Sequence, residues 1–89
     1  MEHIKNKIIV ITAGASGIGA DMAKSLSKAG AAVIIGDKDE IALKRLEKES
    51  SDILAIQADV SNESDVAMLF ETVKSRFGKI DALINNAGI

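Results

Sequence analysis

The chain has 89 residues, 47% of them hydrophobic, a formal net charge of −2 and no cysteine. An acidic balance without a basic cluster argues against nucleic-acid binding, and the lack of cysteine excludes disulfides and thiolate zinc sites. No apolar stretch approaches the ~18 residues that cross a bilayer, so no membrane partner is expected. The polar N-terminal segment around His3 lacks the apolar region of a signal peptide, which favours a cytoplasmic protein.

The first predicted strand, residues 8–11, runs into a glycine-rich turn and a helix. Glycines let the backbone turn tightly and let an anionic ligand approach the main chain, and the free N–H groups of the helix start can bind a phosphate. The spacing departs from G-x-G-x-x-G, because Met22 occupies the last glycine position when counted from Gly17. A tight turn without ligand is the alternative, with Ser16 as a helix cap. The residues predicted to bind pyrophosphate are Gly14, Ser16, Gly17, Ile18 and Gly19.

The next helix and strand lead to an acidic residue about twenty positions after the turn. The helix is predicted over residues 18–29 and ends at Gly30, a left-handed cap, and the strand over residues 32–36 ends in Asp37. A carboxylate there can accept hydrogen bonds from ribose hydroxyls, or can cap the second helix instead. It would repel a 2′-phosphate, which favours NAD over NADP unless Lys38 intervenes. The helix face predicted to be buried comprises Ile18, Met22, Leu26 and Ala29.

The remaining elements continue the alternation of helices and strands. A second helix is predicted over residues 39–49 with Ile41 and Leu46 buried, and strands over 53–56 and 80–84. Ser61 or Asn62 caps a third helix, which ends before Gly78. Strands that are apolar on both faces predict a doubly wound parallel α/β sheet of Rossmann type, with order 3-2-1-4 and a ligand site at the switch between strands 1 and 4. The apolar stripe of the third helix is Val66, Leu69, Phe70, Val73 and Phe77.

Three motifs of this chain resemble those of the short-chain dehydrogenases/reductases. Residues 12–19 resemble their T-G-x-x-x-G-x-G turn, although Ala13 stands where the family usually has its first glycine. Asp59-Val60 resembles the Asp-Val that contacts adenine, and residues 85–88 match N-N-A-G. The resemblance implies that Asp59 and Val60 bind the cofactor, while Asp59 could instead be a local cap. It also assigns Asn85 to holding the strand ends together. Asn85 and Asn86 could instead both be turn residues, since asparagine tolerates left-handed backbone. The resemblance assigns three further residues to the cofactor: Asn86, Ala87 and Gly88.

The resemblance implies an oxidoreductase that exchanges a hydride between NAD and an alcohol or carbonyl substrate. Residues 1–89 are then a single dinucleotide-binding Rossmann half-domain. The family's Tyr-x-x-x-Lys pair has no counterpart, since the sequence contains no tyrosine, so this polypeptide alone is expected to be inactive. A stand-alone nucleotide-binding or interaction fragment is the alternative. An incompletely covered sheet and an open fourth strand also predict a homo-oligomer.

Overall fold

The computed structural model describes residues 3–13 and 15–86, and within them four strands alternate with three helices. All strand pairings are parallel, and the sheet order is β3-β2-β1-β4. This confirms the doubly wound topology predicted from the apolar strands. The elements are β1 (Ile8–Thr12), α1 (Gly17–Lys28), β2 (Ala32–Asp37), α2 (Glu40–Glu49), β3 (Leu54–Gln57), α3 (Glu63–Phe77) and β4 (Ala82–Asn85).

The core has two parts, one on each face of the sheet. Alternate side chains of a strand point to opposite faces, so Ile9 and Ile11 pack under α1 and α2 while Ile8 and Val10 pack under α3. The α3 face is the less covered one, because a single helix spans it. Leu83 of β4 remains 50% exposed. Helices α1–α3, which are the helices of the described residues, include none that is long and apolar enough to cross a membrane.

The buried face of α1 differs from the predicted one. Ile18 is 72% exposed, and the buried residues are Gly19, Ala20 and Ala23. Small side chains let the helix axis come close to the sheet, so the small-residue face packs inward and the stripe that begins at Ile18 lies at its flank. Leu26, on that stripe, is partly buried against the core.

The prediction for α2 was right for Leu46 and wrong for Ile41. Leu46 is buried together with Ala42 and Leu43, whereas Ile41 is 73% exposed. At 100° per residue, Leu43 and Leu46 lie about 60° apart on the helix, while Ile41 lies about 160° from Leu43. The helix can therefore bury either Ile41 or the opposite side. It buries the opposite side, which carries Ala42, Leu43 and Leu46.

The helix ends follow the predicted signals closely. Gly30 has φ +100° and donates its N–H to Ser27 O, while Ala31 donates to Leu26 O, which is the Schellman arrangement. Gly78, with φ +84°, ends α3 in the same left-handed conformation. Of the two candidate caps for α3, the structure selects Asn62, whose side chain accepts from the Asp65 N–H at 3.1 Å.

Close contacts and ion pairs fix the outer elements on the sheet. A Cβ added to Gly36 of β2 would lie 2.7 Å from Leu69 Cδ2, so the glycine permits α3 to approach the sheet. Asp81 accepts from the Ile8 N–H at 2.7 Å just before β4, and this bond lowers the pKa of its carboxyl. On the opposite face, Lys24 of α1 pairs with Glu49 of α2 at 2.5 Å and lowers the pKa of Glu49.

Candidate functional site

The carboxyl ends of the four strands bring the predicted site residues to one edge of the sheet. The glycine-rich turn follows β1, Asp37 ends β2, Asp59 follows β3 and Asn86 follows β4. Parallel strands place all their carboxyl ends at the same edge, where open α/β sheets bind ligands. Gly14, Ala87 and Gly88, which were also predicted to bind the cofactor, lie outside the described residues.

The start of α1 has open space at Gly17 and N–H groups that precede the helical ladder. Gly17 has φ +60°, and a Cβ added to it would meet nothing within 4 Å. The first intrahelical bond runs from the Ala20 N–H to Ser16 O at 3.4 Å, so the N–H groups before Ala20 precede the helical ladder. Ser16 is the N-cap in extended conformation, and its hydroxyl makes no capping bond. This end of α1 can therefore donate hydrogen bonds to an anion.

Two further residues of the turn have distinct environments. Ile18 is 72% exposed at the helix start, while Gly19 is buried. Ile18 can thus offer its backbone N–H and an apolar side chain to a ligand.

Ala13 has the left-handed backbone that explains why a glycine is usual at this position. Its φ is +57°, a conformation that costs a residue with a Cβ about 1–2 kcal/mol. Hydrogen bonds hold it on both sides: its N–H donates to Gly36 O at 2.6 Å, and its carbonyl accepts from Asn86 Nδ2 at 2.9 Å. The sequence departure at Ala13 is therefore a local strain at a residue that hydrogen bonds hold on both sides.

The carboxylate of Asp37 bonds to two different loops. Its Oδ2 accepts from the Ala15 N–H of the glycine-rich turn at 3.1 Å, and its Oδ1 accepts from the Asp39 N–H at 3.0 Å. The alternative role as cap of α2 is taken by Asp39, which accepts from the Ala42 N–H. Sequence reasoning found Asp37 but missed its bond to the turn, since no local pattern connects residues 22 positions apart.

A cleft of about 270 Å³ lies between the loops that follow β1, β2 and β3. Asp37 and Lys38 form one wall and Asp59 and Val60 the other. Its volume is just below the usual range for ligand pockets, about 300–1,000 Å³, so it fits one part of a dinucleotide better than the whole. The lining residues are Ala13, Asp37, Lys38, Ala58, Asp59, Val60 and Ser61.

Asp59 combines the two roles that the sequence left open. It lines the cleft, and its Oδ1 also accepts from the Ser61 hydroxyl at 2.7 Å and the Ser61 N–H at 2.9 Å, as a local cap does. These bonds favour the ionised form and lower the pKa of the Asp59 carboxyl. The cleft is lined by the carboxyl groups of Asp37 and Asp59 and by one cation, Lys38, so its formal charge is negative, which disfavours additional phosphate groups.

Asp65 is a positioning residue that sequence reasoning missed. Its Oδ2 accepts from the Asp59 N–H at 2.9 Å, while its own N–H donates to the Asn62 side chain. An acidic residue three positions after the N-cap is the signal that could have revealed it, because capping boxes use that spacing. The loop between β3 and α3 is thereby fixed beside the cleft.

The two asparagines after β4 hold neighbouring parts of the site. Asn85 Oδ1 accepts from the Thr12 hydroxyl at 3.1 Å, which links the ends of β1 and β4 as the motif implied. Asn86 donates to the carbonyl of Ala13 and so holds the glycine-rich turn. Among the described residues, no group of three or more His, Cys, Asp or Glu side chains could hold a metal ion.

The fold and this sheet edge define a Rossmann-type α/β protein. The chain belongs to the short chain dehydrogenase family, whose model matches residues 7–89. Among curated relatives, it is 43% identical over 82 residues to an L-fucose dehydrogenase from Oryctolagus cuniculus, covering 92% of this chain and 29% of that protein. It is 38% identical over 86 residues to a 3-hydroxyacyl-CoA dehydrogenase type-2 from Drosophila melanogaster, covering 96% of this chain and 34% of the other.

Solved structures show the same likeness. A 3-ketoacyl-(acyl-carrier-protein) reductase from Brucella melitensis, complexed with NADH, has a TM-score of 0.84 and 41% identity, with 90% of this chain and 33% of that one covered. A short chain dehydrogenase from Bacillus anthracis has a TM-score of 0.86 and 38% identity, with 93% and 35% covered. The chain thus spans about a third of the length of the proteins named here, which are dehydrogenases and a reductase.

Proposed function

We propose that residues 1–89 form the NAD-binding Rossmann half-domain of a short-chain dehydrogenase/reductase. The observation that carries this proposal is the meeting of an open helix start, a cleft with Asp37 in its wall and the asparagines after β4 at one sheet edge. The proposed cofactor-binding residues are Gly14, Ser16, Gly17, Ile18, Gly19, Asp37, Asp59, Val60, Asn86, Ala87 and Gly88.

The pyrophosphate of the cofactor would bind at the start of α1. Space in front of Gly17, N–H groups that precede the helical ladder and a Ser16 hydroxyl that makes no capping bond fit an anion, and the helix dipole adds roughly half a positive charge there. No lysine or arginine is needed for this contact. Gly17 is the position where any side chain would both strain the backbone and fill the ligand space.

The adenosine would occupy the cleft between the loops after β2 and β3. Asp37 would accept from the ribose hydroxyls, and Val60 and Ala58 would contact the adenine ring. A 2′-phosphate would approach the carboxylates of Asp37 and Asp59, so NAD is the proposed cofactor and NADP the weaker ligand. Lys38, in the same wall, would reduce this discrimination without reversing it.

In the complete enzyme, the nicotinamide cofactor supplies or accepts the hydride that interconverts an alcohol and a carbonyl group. The 89 residues contribute the binding and orientation of the cofactor. They contain no tyrosine, so the phenolic proton donor that the family resemblance implies is not among them. The substrate contacts would likewise come from other residues.

Calorimetric titration of the 89-residue chain with three ligands tests the proposal. NAD and ADP-ribose should bind with similar affinity, because the proposed contacts are to the adenosine and the pyrophosphate, which both ligands contain. Nicotinamide mononucleotide, which lacks the adenosine, should bind much more weakly. The reverse order, with nicotinamide mononucleotide bound and ADP-ribose not, would refute the assignment of this edge.

A further inference from the structure

We infer that Asp37 is also a positioning residue, whose carboxylate holds the glycine-rich turn in the conformation that binds pyrophosphate. This inference rests on the proposed function and assigns Asp37 a part in gripping a group that it does not touch. It follows from the two hydrogen bonds of the carboxylate, one to each of the loops that the cofactor would contact.

The bond from the Ala15 N–H to Asp37 Oδ2, 3.1 Å long, lies at a critical point of the turn. Ala15 is buried and directly precedes Ser16, the N-cap of α1. A buried N–H without a partner costs about 1–3 kcal/mol, so the bond to the carboxylate stabilises this position of Ala15. The position of Ala15 then fixes where the free N–H groups at the start of α1 lie.

The other described contacts of the turn do not hold Ala15 in place. Ala13 is tied to Gly36 and Asn86, but these bonds fix the strand side of the turn, two residues before Ala15. On the helix side, the Ser16 side chain makes no capping bond. Within the part of the turn that the structure describes, the carboxylate of Asp37 is therefore the side-chain contact nearest to the helix start.

Whether removal of the Asp37 carboxylate weakens or tightens anion binding distinguishes a positioning role from simple charge repulsion. Removing a carboxylate near an anion site lowers the repulsion and should tighten the binding of pyrophosphate. Losing the positioning bond should weaken it, because the apparent dissociation constant rises as the competent fraction of the turn falls. With that fraction reduced to between about a third and a tenth, Asp37→Ala should bind inorganic pyrophosphate about three- to tenfold more weakly.

The test uses inorganic pyrophosphate, which reaches the start of α1 without occupying the ribose site. Its affinity is measured by calorimetry for wild type, Asp37→Ala, Asp37→Asn and the matched control Asp39→Ala. The control removes an equal charge two residues away and the cap of α2, but leaves the Ala15 bond in place. Hydrogen exchange of the Ala15 amide, followed by NMR without ligand, reports the bond directly.

We expect Asp37→Ala to lose Ala15 protection and to bind pyrophosphate more weakly. Asp37→Asn keeps an oxygen acceptor and should retain both properties, and Asp39→Ala should bind at least as tightly as wild type. Pyrophosphate affinity should follow Ala15 protection across the variants, and should not follow the charge. If the alanine variant does not fold, Asp37→Leu, which is close in size to aspartate and has no acceptor for the Ala15 N–H, replaces it in this comparison.

Unchanged or tighter pyrophosphate binding by a variant that has lost Ala15 protection overturns the inference, and so does retained protection in Asp37→Ala. Failure of the proposed function has a different result: wild type then binds neither pyrophosphate nor ADP-ribose. In that case Ala15 protection alone decides whether Asp37 holds the turn.

Discussion

Replacing Ala13 with glycine should stabilise the protein, although it removes a methyl group. Ala13 has φ +57° and is held there by hydrogen bonds on both sides. An alanine in the left-handed region costs about 1–2 kcal/mol, and glycine avoids this cost. Glycine is in turn more flexible in the unfolded chain, which offsets about 0.5–1 kcal/mol of the gain.

The net stabilisation expected for Ala13→Gly therefore lies between about 0 and 1.5 kcal/mol, with a central value of about 0.75 kcal/mol. For a domain of this size, the central value corresponds to a rise in Tm of about 3–6 °C. Urea and thermal unfolding followed by circular dichroism measure both values. Because Ala13 lines the cleft and glycine is smaller, ADP-ribose affinity should be equal or higher in the variant.

Ala29→Gly is the matched control for Ala13→Gly. Ala29 is also half-buried, but its φ of −77° is ordinary for a residue with a Cβ. The same exchange there should destabilise the protein by about 0.5–1 kcal/mol, because only the flexibility of glycine counts. If both variants lose stability equally, the strain assigned to Ala13 is wrong.

Four further outcomes are expected. Asp37→Ala should weaken NAD binding by about 1.5–3 kcal/mol and narrow the preference over NADP, and unchanged discrimination would refute its ribose role. The free energy of unfolding, measured at a series of acidic pH values, should fall below about pH 4. Folding lowers the pKa values of Glu49, Asp59 and Asp81 from 4.5, 3.8 and 3.8. The stability that these three carboxylates contribute is therefore present above those unfolded values and is lost as the pH falls through the lower pKa values of the folded protein. Asp81→Asn should make that dependence shallower, and an equally steep loss would contradict its part in it. Sedimentation should show that the chain self-associates at micromolar concentration, since Leu83 is half exposed and β4 pairs with β1 alone among the described strands. Leu83→Lys should reduce the self-association, and a monodisperse wild-type monomer would disprove the prediction. The 89-residue polypeptide should show no cofactor-dependent turnover of alcohols or carbonyls, because general acid catalysis contributes about 10²–10⁴-fold, and measurable turnover would require another proton donor.

The sequence by itself determined the topology of the sheet and the edge at which the candidate site lies. Apolar runs without alternation require a sheet covered on both faces, and right-handed crossovers then leave the order β3-β2-β1-β4. Glycine and asparagine signals also located the ends of the helices, at Gly30, Gly78 and Asn62, because those signals act through local backbone geometry.

Which side of each helix is buried was decided only by the tertiary structure. Periodicity measures the spacing of apolar residues, but the closest packing on the sheet selects the side. Ile18 and Ile41 are therefore exposed, although both are large and apolar. Small residues face the sheet in α1, and the larger apolar set does so in α2.

The contacts that join the loops of the site could likewise not be predicted from the sequence. Asp37 meets Ala15, and Asn86 meets Ala13, across 22 and 73 positions of the chain. No local pattern encodes such pairs, since they form only when parallel strands bring their carboxyl ends together. The residue types at the site follow from the sequence, and the fold decides which of them touch.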